Sequence, residues 1–125
     1  MFVSMIETVA VIGASGKPDR YAYKAAELLE SHGHQVVLVN PFKDSILDQP
    51  CFKDISHFDG ELDTVTVYVN AARFQEHMAS ILKKKPRRVI FNPGAEAPES
   101  YPDLEQNGIE VEEACTLVLL NTGQF

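Results

Sequence analysis

Short unbroken runs of apolar and β-branched residues recur along this chain, at Val9–Ile12, Val36–Val39, Thr64–Val69, Val89–Phe91 and Ile109–Val111. Runs of this length without polar alternation read as strands covered on both faces, the habit of parallel sheets. Between them the period changes. Ala22, Ala25, Ala26 and Leu29 fall at i, i+3, i+4 and i+7, and Phe74, Met78, Ile81 and Leu82 repeat a similar stripe, each marking one face of a helix. A shorter helix is expected over Tyr101–Gln106, and the apolar tail Cys115–Leu120 reads as a packed terminal helix. Strands that alternate with helices predict a doubly wound α/β fold whose five-stranded, mainly parallel sheet has the order 3-2-1-4-5. In residues 42–63, Asp, Lys, Pro and Gly interrupt the apolar positions Ile46, Leu47, Phe52, Ile55 and Phe58, so a short helix and irregular chain are expected there. With 125 residues, 45% of them hydrophobic, one domain spanning residues 1–125 suffices.

In such a sheet, ligands bind outside the carboxyl ends of the strands. Gly13-Ala14-Ser15, Asn40-Pro41, Asn70 and Asn92-Pro93-Gly94 each follow a strand, so this architecture gathers them along one rim. The first turn is the most informative. Gly13, Ala14, Ser15 and Gly16 keep side chains small beside the backbone, and a helix begins shortly after, where unsatisfied N–H groups and the dipole favour an anion. Lys17, Arg20 and Lys24 add three cations at the same place.

A dinucleotide site needs G-x-G-x-x-G and an acidic residue about 20 positions further on. Ser15 and Pro18 stand where the second and third glycines belong, and the second strand ends in Asn40. No P-loop occurs either. Nucleic acid is disfavoured by a net charge of -7. The one basic run, Lys83 to Arg88, falls at a helix C-terminus without interleaved aromatics and reads as a solvated helix end. Cys51 and Cys115 lack disulfide-framework or zinc spacing, the four histidines lack ligand spacing, and Glu112 and Glu113 disfavour a thiolate at Cys115. No catalytic group and no metal are assigned. The N-terminus carries no basic leader region and no apolar run reaches membrane-spanning length, so a soluble cytoplasmic protein is expected.

Four blocks, VIGASGKPDRYAYKAA at 11–26, GHQVVLVNP at 33–41, RRVIFNPGAE at 88–96 and CTLVLLNTGQF at 115–125, carry a resemblance to the small bacterial CoA-binding domain proteins. That family is Rossmann-like and related in fold to the CoA-binding domain of succinyl-CoA ligase. The resemblance implies coenzyme A or an acyl-CoA across the strand ends. By position, Gly13, Ala14, Ser15, Lys17, Arg20 and Tyr21 match the phosphate turn, Asn40 and Pro41 the adenosine side, and Asn92, Pro93 and Gly94 the pantetheine side. Two places depart from the family pattern: Asp48-Gln49-Pro50 replaces a glycine before Cys51-Phe52, and Asn70-Ala71-Ala72 stands where many relatives have a proline, so no contacts are carried over for 44–52 and 70–72. The expected role is a non-catalytic binding, regulatory or carrier module, with a protein partner left open. A CoA-ester enzyme and an NAD(P)-linked redox sensor are the alternatives.

Overall fold

A computed structural model describes residues 6–46 and 48–125, so the readings made for the first five residues and for Leu47 lie outside the described residues. Twelve elements follow the chain in order: β1 (Thr8–Ile12), α1 (Tyr21–Ser31), β2 (Gln35–Val39), β3 (Ser45–Ile46), β4 (Gln49–Phe52), β5 (Thr64–Val67), α2 (Ala71–Gln75), α3 (Met78–Lys84), β6 (Arg88–Phe91), α4 (Tyr101–Gln106), β7 (Glu110–Glu113) and α5 (Thr116–Asn121). Short 3-10 turns at Ile55–His57 and Pro98–Ser100 complete the described elements.

The α/β class holds, but the sheet has seven strands in the order β3-β4-β2-β1-β5-β6-β7. This corrects both the count of five and the order 3-2-1-4-5. Strand β5, the third in the sequence reading, pairs with β1 from Val9↔Thr64 to Ile12↔Val67 instead of lying outside β2. The reason lies in the segment read as helix and irregular chain. Residues 49–52 form β4, whose Leu38↔Cys51 and Val39↔Phe52 pairing occupies the free edge of β2, and β3 adds an antiparallel two-residue pairing beyond it. All other pairings are parallel.

Period-2 alternation along the strands divides the core between two faces. Ala10, Ile12, Val37, Val39, Val65, Val67 and Phe91 point to the face covered by Phe74 of α2, Ile81 of α3 and Leu104 of α4. Val9, Val11 and Leu38 point to the other, which is covered by Ala22, Ala26 and Leu29 of α1 and Leu120 of α5. The stripe expected to make one helix from Phe74 to Leu82 belongs to two, because α2 ends at Gln75 and α3 restarts at Met78. Gly33 closes α1 with φ +88°, its N–H donating to the Glu30 carbonyl at 2.9 Å.

At the amino ends of the strands, buried Glu7 accepts from Thr64 Oγ1, Arg87 Nη2 and Arg88 Nη2, the guanidinium contacts being 3.0 and 3.4 Å. Arg88 is itself buried and also reaches Glu112 at 3.2 Å. Lys84 Nζ donates to the carbonyls of Phe58 and Gly60. The solvated reading of the basic run therefore fails for Arg88 and Lys84, which tie β6 and α3 to neighbouring chain.

Candidate functional site

The carboxyl ends of β1, β2, β5 and β6 meet at one rim, as the sheet architecture demands, and enclose a cleft of about 670 Å3. Its base is the turn after β1. Gly13 takes φ +88°, and a Cβ there would lie 2.9 Å from Val69 Cγ1 and 3.0 Å from the Tyr68 carbonyl oxygen. Only glycine lets this loop rest against the end of β5. The N–H groups of Gly13 and Ala14 both donate to the Val39 carbonyl, at 3.0 and 3.1 Å, and Ser15 Oγ accepts from the Lys17 N–H at 3.1 Å. Helix α1 then opens after Arg20, an extended residue, and no side chain caps its first turn. Its leading N–H groups thus stay available on the wall formed by Arg20, Tyr21 and Ala22.

Asn40 joins two loops. Its Nδ2 donates to the Ala14 carbonyl at 2.9 Å, while its Oδ1 accepts from the Phe42 N–H at 2.8 Å. An acidic residue could not make the first of these bonds, which accounts for the amide where dinucleotide enzymes carry a carboxylate.

Charge around the cleft is one-sided. Lys17, Arg20 and Lys43 line it, and among the described lining residues there is no carboxylate, imidazole or thiol. In a chain with net charge -7 that asymmetry is a local property. The polar remainder is Ser15, Ser45, Asn40, Asn70 and the two tyrosines. Burial pushes the Tyr68 hydroxyl up to about 12 against the opposing pull of the Thr116 and Thr66 hydroxyls, so it stays a neutral group.

Of the residues expected at the site, Gly13, Ala14, Ser15, Lys17, Arg20, Tyr21, Asn40, Pro93 and Gly94 all border the cleft. Three sit elsewhere. Pro41 borders a second, smaller hollow, and Lys24 leaves the cleft to place its ammonium 5.4 Å from the Tyr21 ring centroid. Asn92 is 2% exposed and wholly engaged: Nδ2 donates to Thr66 Oγ1 (2.7 Å) and the Val67 carbonyl (2.9 Å), and Oδ1 accepts from the Thr116 N–H (2.8 Å). Sequence reasoning missed Lys43, Ser45, Ile46 and Tyr68. The strand-end rule contains a usable signal for Lys43, three residues past Asn40, whereas Ser45 and Ile46 are brought in by the unforeseen β3.

The model of a CoA binding domain matches residues 7–121, nearly the whole described chain. The chain belongs to the CoA-binding domain family. A crystal structure of an uncharacterized protein superposes with a TM-score of 0.90 at 40% identity, covering 98% of this chain and 100% of that one. The uncharacterized protein YneT of Bacillus subtilis (strain 168) is 24% identical over 100 residues, 80% of this chain and 74% of YneT. The dinucleotide forming acetyl-coenzyme A synthetase 1 of Ca. Korarchaeum cryptofilum, in complex with phosphate and ADP, shares the fold, with a TM-score of 0.73 and 19% identity over 86% of this chain and 25% of that one. Membership in the CoA-binding domain family agrees with the resemblance borne by the four sequence blocks. Among the described residues no helix is long and apolar enough to cross a membrane.

Proposed function

We propose that this chain is a stand-alone module that binds coenzyme A or an acyl-CoA in the rim cleft without chemistry of its own. The observation that carries the reading is the cleft's lining, three cations and, among the described residues, no acid beside an uncapped helix start. Lys17, Arg20 and the first N–H groups of α1 meet the pyrophosphate. The adenosine lies toward Asn40 and Pro41, and pantetheine runs toward Pro93 and Gly94. Charge-assisted hydrogen bonds of about 1.5–3 kcal/mol each, less the cost of association, leave a dissociation constant on the order of micromolar.

Calorimetry with CoA and NAD tests this. CoA binds and NAD binds far more weakly; NAD binding as tightly as CoA would sink the reading. Arg20→Ala weakens CoA by at least about 1 kcal/mol and leaves the apo melting temperature nearly unchanged, since Arg20 is exposed and its side chain forms no ion pair among the described residues.

A CoA-ester enzyme is the competing reading, favoured by the synthetase neighbour. Against it stands the cleft's lack, among the described residues, of a carboxylate, imidazole or thiol. Thioester turnover by the purified protein that disappears in Cys115→Ser would establish it.

A further inference from the structure

The main cleft is charged at one end only. Lys17, Arg20 and Lys43, on the chain that follows β1 and β2, supply its cations, while the end built from Tyr68 to Asn70 after β5 and Pro93 to Ala95 after β6 is uncharged. Coenzyme A is divided in the same way, with every phosphate on its nucleotide half and a neutral pantetheine arm. Electrostatics therefore turn the acyl end of such a ligand toward β5 and β6. Resting on the reading of the cleft as a CoA site, we propose that Glu96 and Glu113 make this end select acyl groups that lack a carboxylate over dicarboxylic ones.

Donors that could receive an acyl carboxylate are already spent. In the turn after β6, Pro93 has no N–H, and those of Asn92, Gly94 and Ala95 donate to the Val67 carbonyl, Glu96 Oε1 and the Asn92 carbonyl at 3.4, 3.0 and 2.8 Å. The side-chain amide of Asn92 is engaged as well. Glu96 thus holds its own carboxylate against Gly94, a residue that borders the cleft, and leaves no backbone donor in this turn for a second.

The local field is negative too. The Tyr101 hydroxyl donates to Glu113 Oε2 at 2.8 Å and accepts from the Ala97 N–H at 3.3 Å, which ties Glu113 to the loop that carries Glu96. Burial first, then the Glu113 hydrogen bond and the charges of Glu113 and Glu96, push that hydroxyl up to about 12 against the pull of the Ala97 N–H, so both carboxylates are felt at one point. Neither forms an ion pair among the described residues, and beyond Arg88 the sequence holds no Lys, Arg or His to offset them. A dicarboxylic acyl group brings another negative charge here, while the cations at the far end are taken by phosphates.

Calorimetry of malonyl-CoA and isovaleryl-CoA, whose acyl groups share one heavy-atom shape and differ in charge, tests this on the wild type, Glu96→Gln, Glu113→Gln and the double variant. The wild type binds isovaleryl-CoA at least about three-fold more tightly, and each variant narrows that ratio, the double most, by binding malonyl-CoA more tightly. Glutamine keeps an acceptor for Gly94 and for Tyr101, and both positions are exposed, so the melting temperature holds. A smaller ratio in the wild type overturns the proposal and leaves the cleft reading standing. A double variant whose ratio fails to fall, or falls only because isovaleryl-CoA binds more weakly, also overturns it. Failure of the wild type to bind either ligand overturns the cleft reading and this proposal with it.

Discussion

Replacing Asn92 by alanine removes three hydrogen bonds from a site with almost no solvent access. Each contributes about 0.5–1.5 kcal/mol net, which brackets the loss between roughly 1.5 and 4.5 kcal/mol. Two of the abandoned partners have recourse: Val67 keeps the Asn92 N–H at 3.4 Å, and the Thr66 and Thr116 hydroxyls keep each other at 2.8 Å. The Thr116 N–H, first in α5, has none and becomes a buried orphan donor. We expect about 3 kcal/mol, or about 10 °C in melting temperature for a chain of this size. The chain has no tryptophan, so urea unfolding is followed by far-ultraviolet circular dichroism, with a lower midpoint and an unchanged slope. Asn92→Asp sharpens the test because it keeps the acceptor toward Thr116 while turning both donors into acceptors. At neutral pH it is less stable than Asn92→Ala. Burial raises the new carboxyl's pKa in the folded state, so the deficit shrinks as acidification protonates it. A loss below about 1 kcal/mol for the alanine variant, or an aspartate variant as stable as wild type at pH 7, would refute the assignment of Asn92 as the tie between β6, β5 and α5.

Gly13→Ala meets both a positive φ and a backbone carbonyl, and loses about 2–4 kcal/mol in thermal unfolding; a neutral result would show that the first loop is free to shift away from β5. Glu7→Ala leaves buried Arg88 with Glu112 as its remaining ionic partner, beside the hydrogen bond from its Nε to Thr64 Oγ1, and lowers stability by about 2–4 kcal/mol, measured in the same urea experiment, and a change within 0.5 kcal/mol would contradict a working buried ion cluster. Burial works to raise the Asp54 carboxyl, but the hydrogen bonds from Ser56 and Ser80, with His77 beside it, hold it below the ordinary 3.8. Its contribution to stability is thus full above about pH 4 and is lost as pH falls through the lower folded value, so Asp54→Asn flattens the acid limb of the stability curve. An unaltered acid limb would count against that.

The five main strands and the rim turns were legible because their information is local: apolar runs ended by Gly or Asn-Pro say where strands stop, and parallel topology does the rest. Strands β3 and β4 were not, because Asp44, Asp48 and Pro50 carry no strand pattern, and residues 49–52 are extended only because β2 offers an unpaired edge. Asp48 takes φ +62°, a turn conformation that nothing in its neighbours announces. The missed β4 also explains the misplaced β5, since a chain read without β4 leaves the outer side of β2 vacant. At the site, the cations Lys17 and Arg20 could be anticipated from helix position. The inward engagement of Asn92 could not, as its partners Thr66 and Thr116 lie 26 and 24 residues away in sequence. Arg88 was misread for the same reason: a basic residue after a helix looks solvated until Glu7, 81 residues earlier, folds in beneath it.

Strand β7 forms one end of the sheet, and three of its four residues are Glu110, Glu112 and Glu113. At the opposite end β3 is two residues long and flanked by Asp44 and Asp48. A foreign strand approaching either border at neutral pH encounters repulsion on one side and almost no backbone to pair with on the other. Acidic residues at both borders thereby disfavour the pairing of an eighth strand with the seven-stranded sheet.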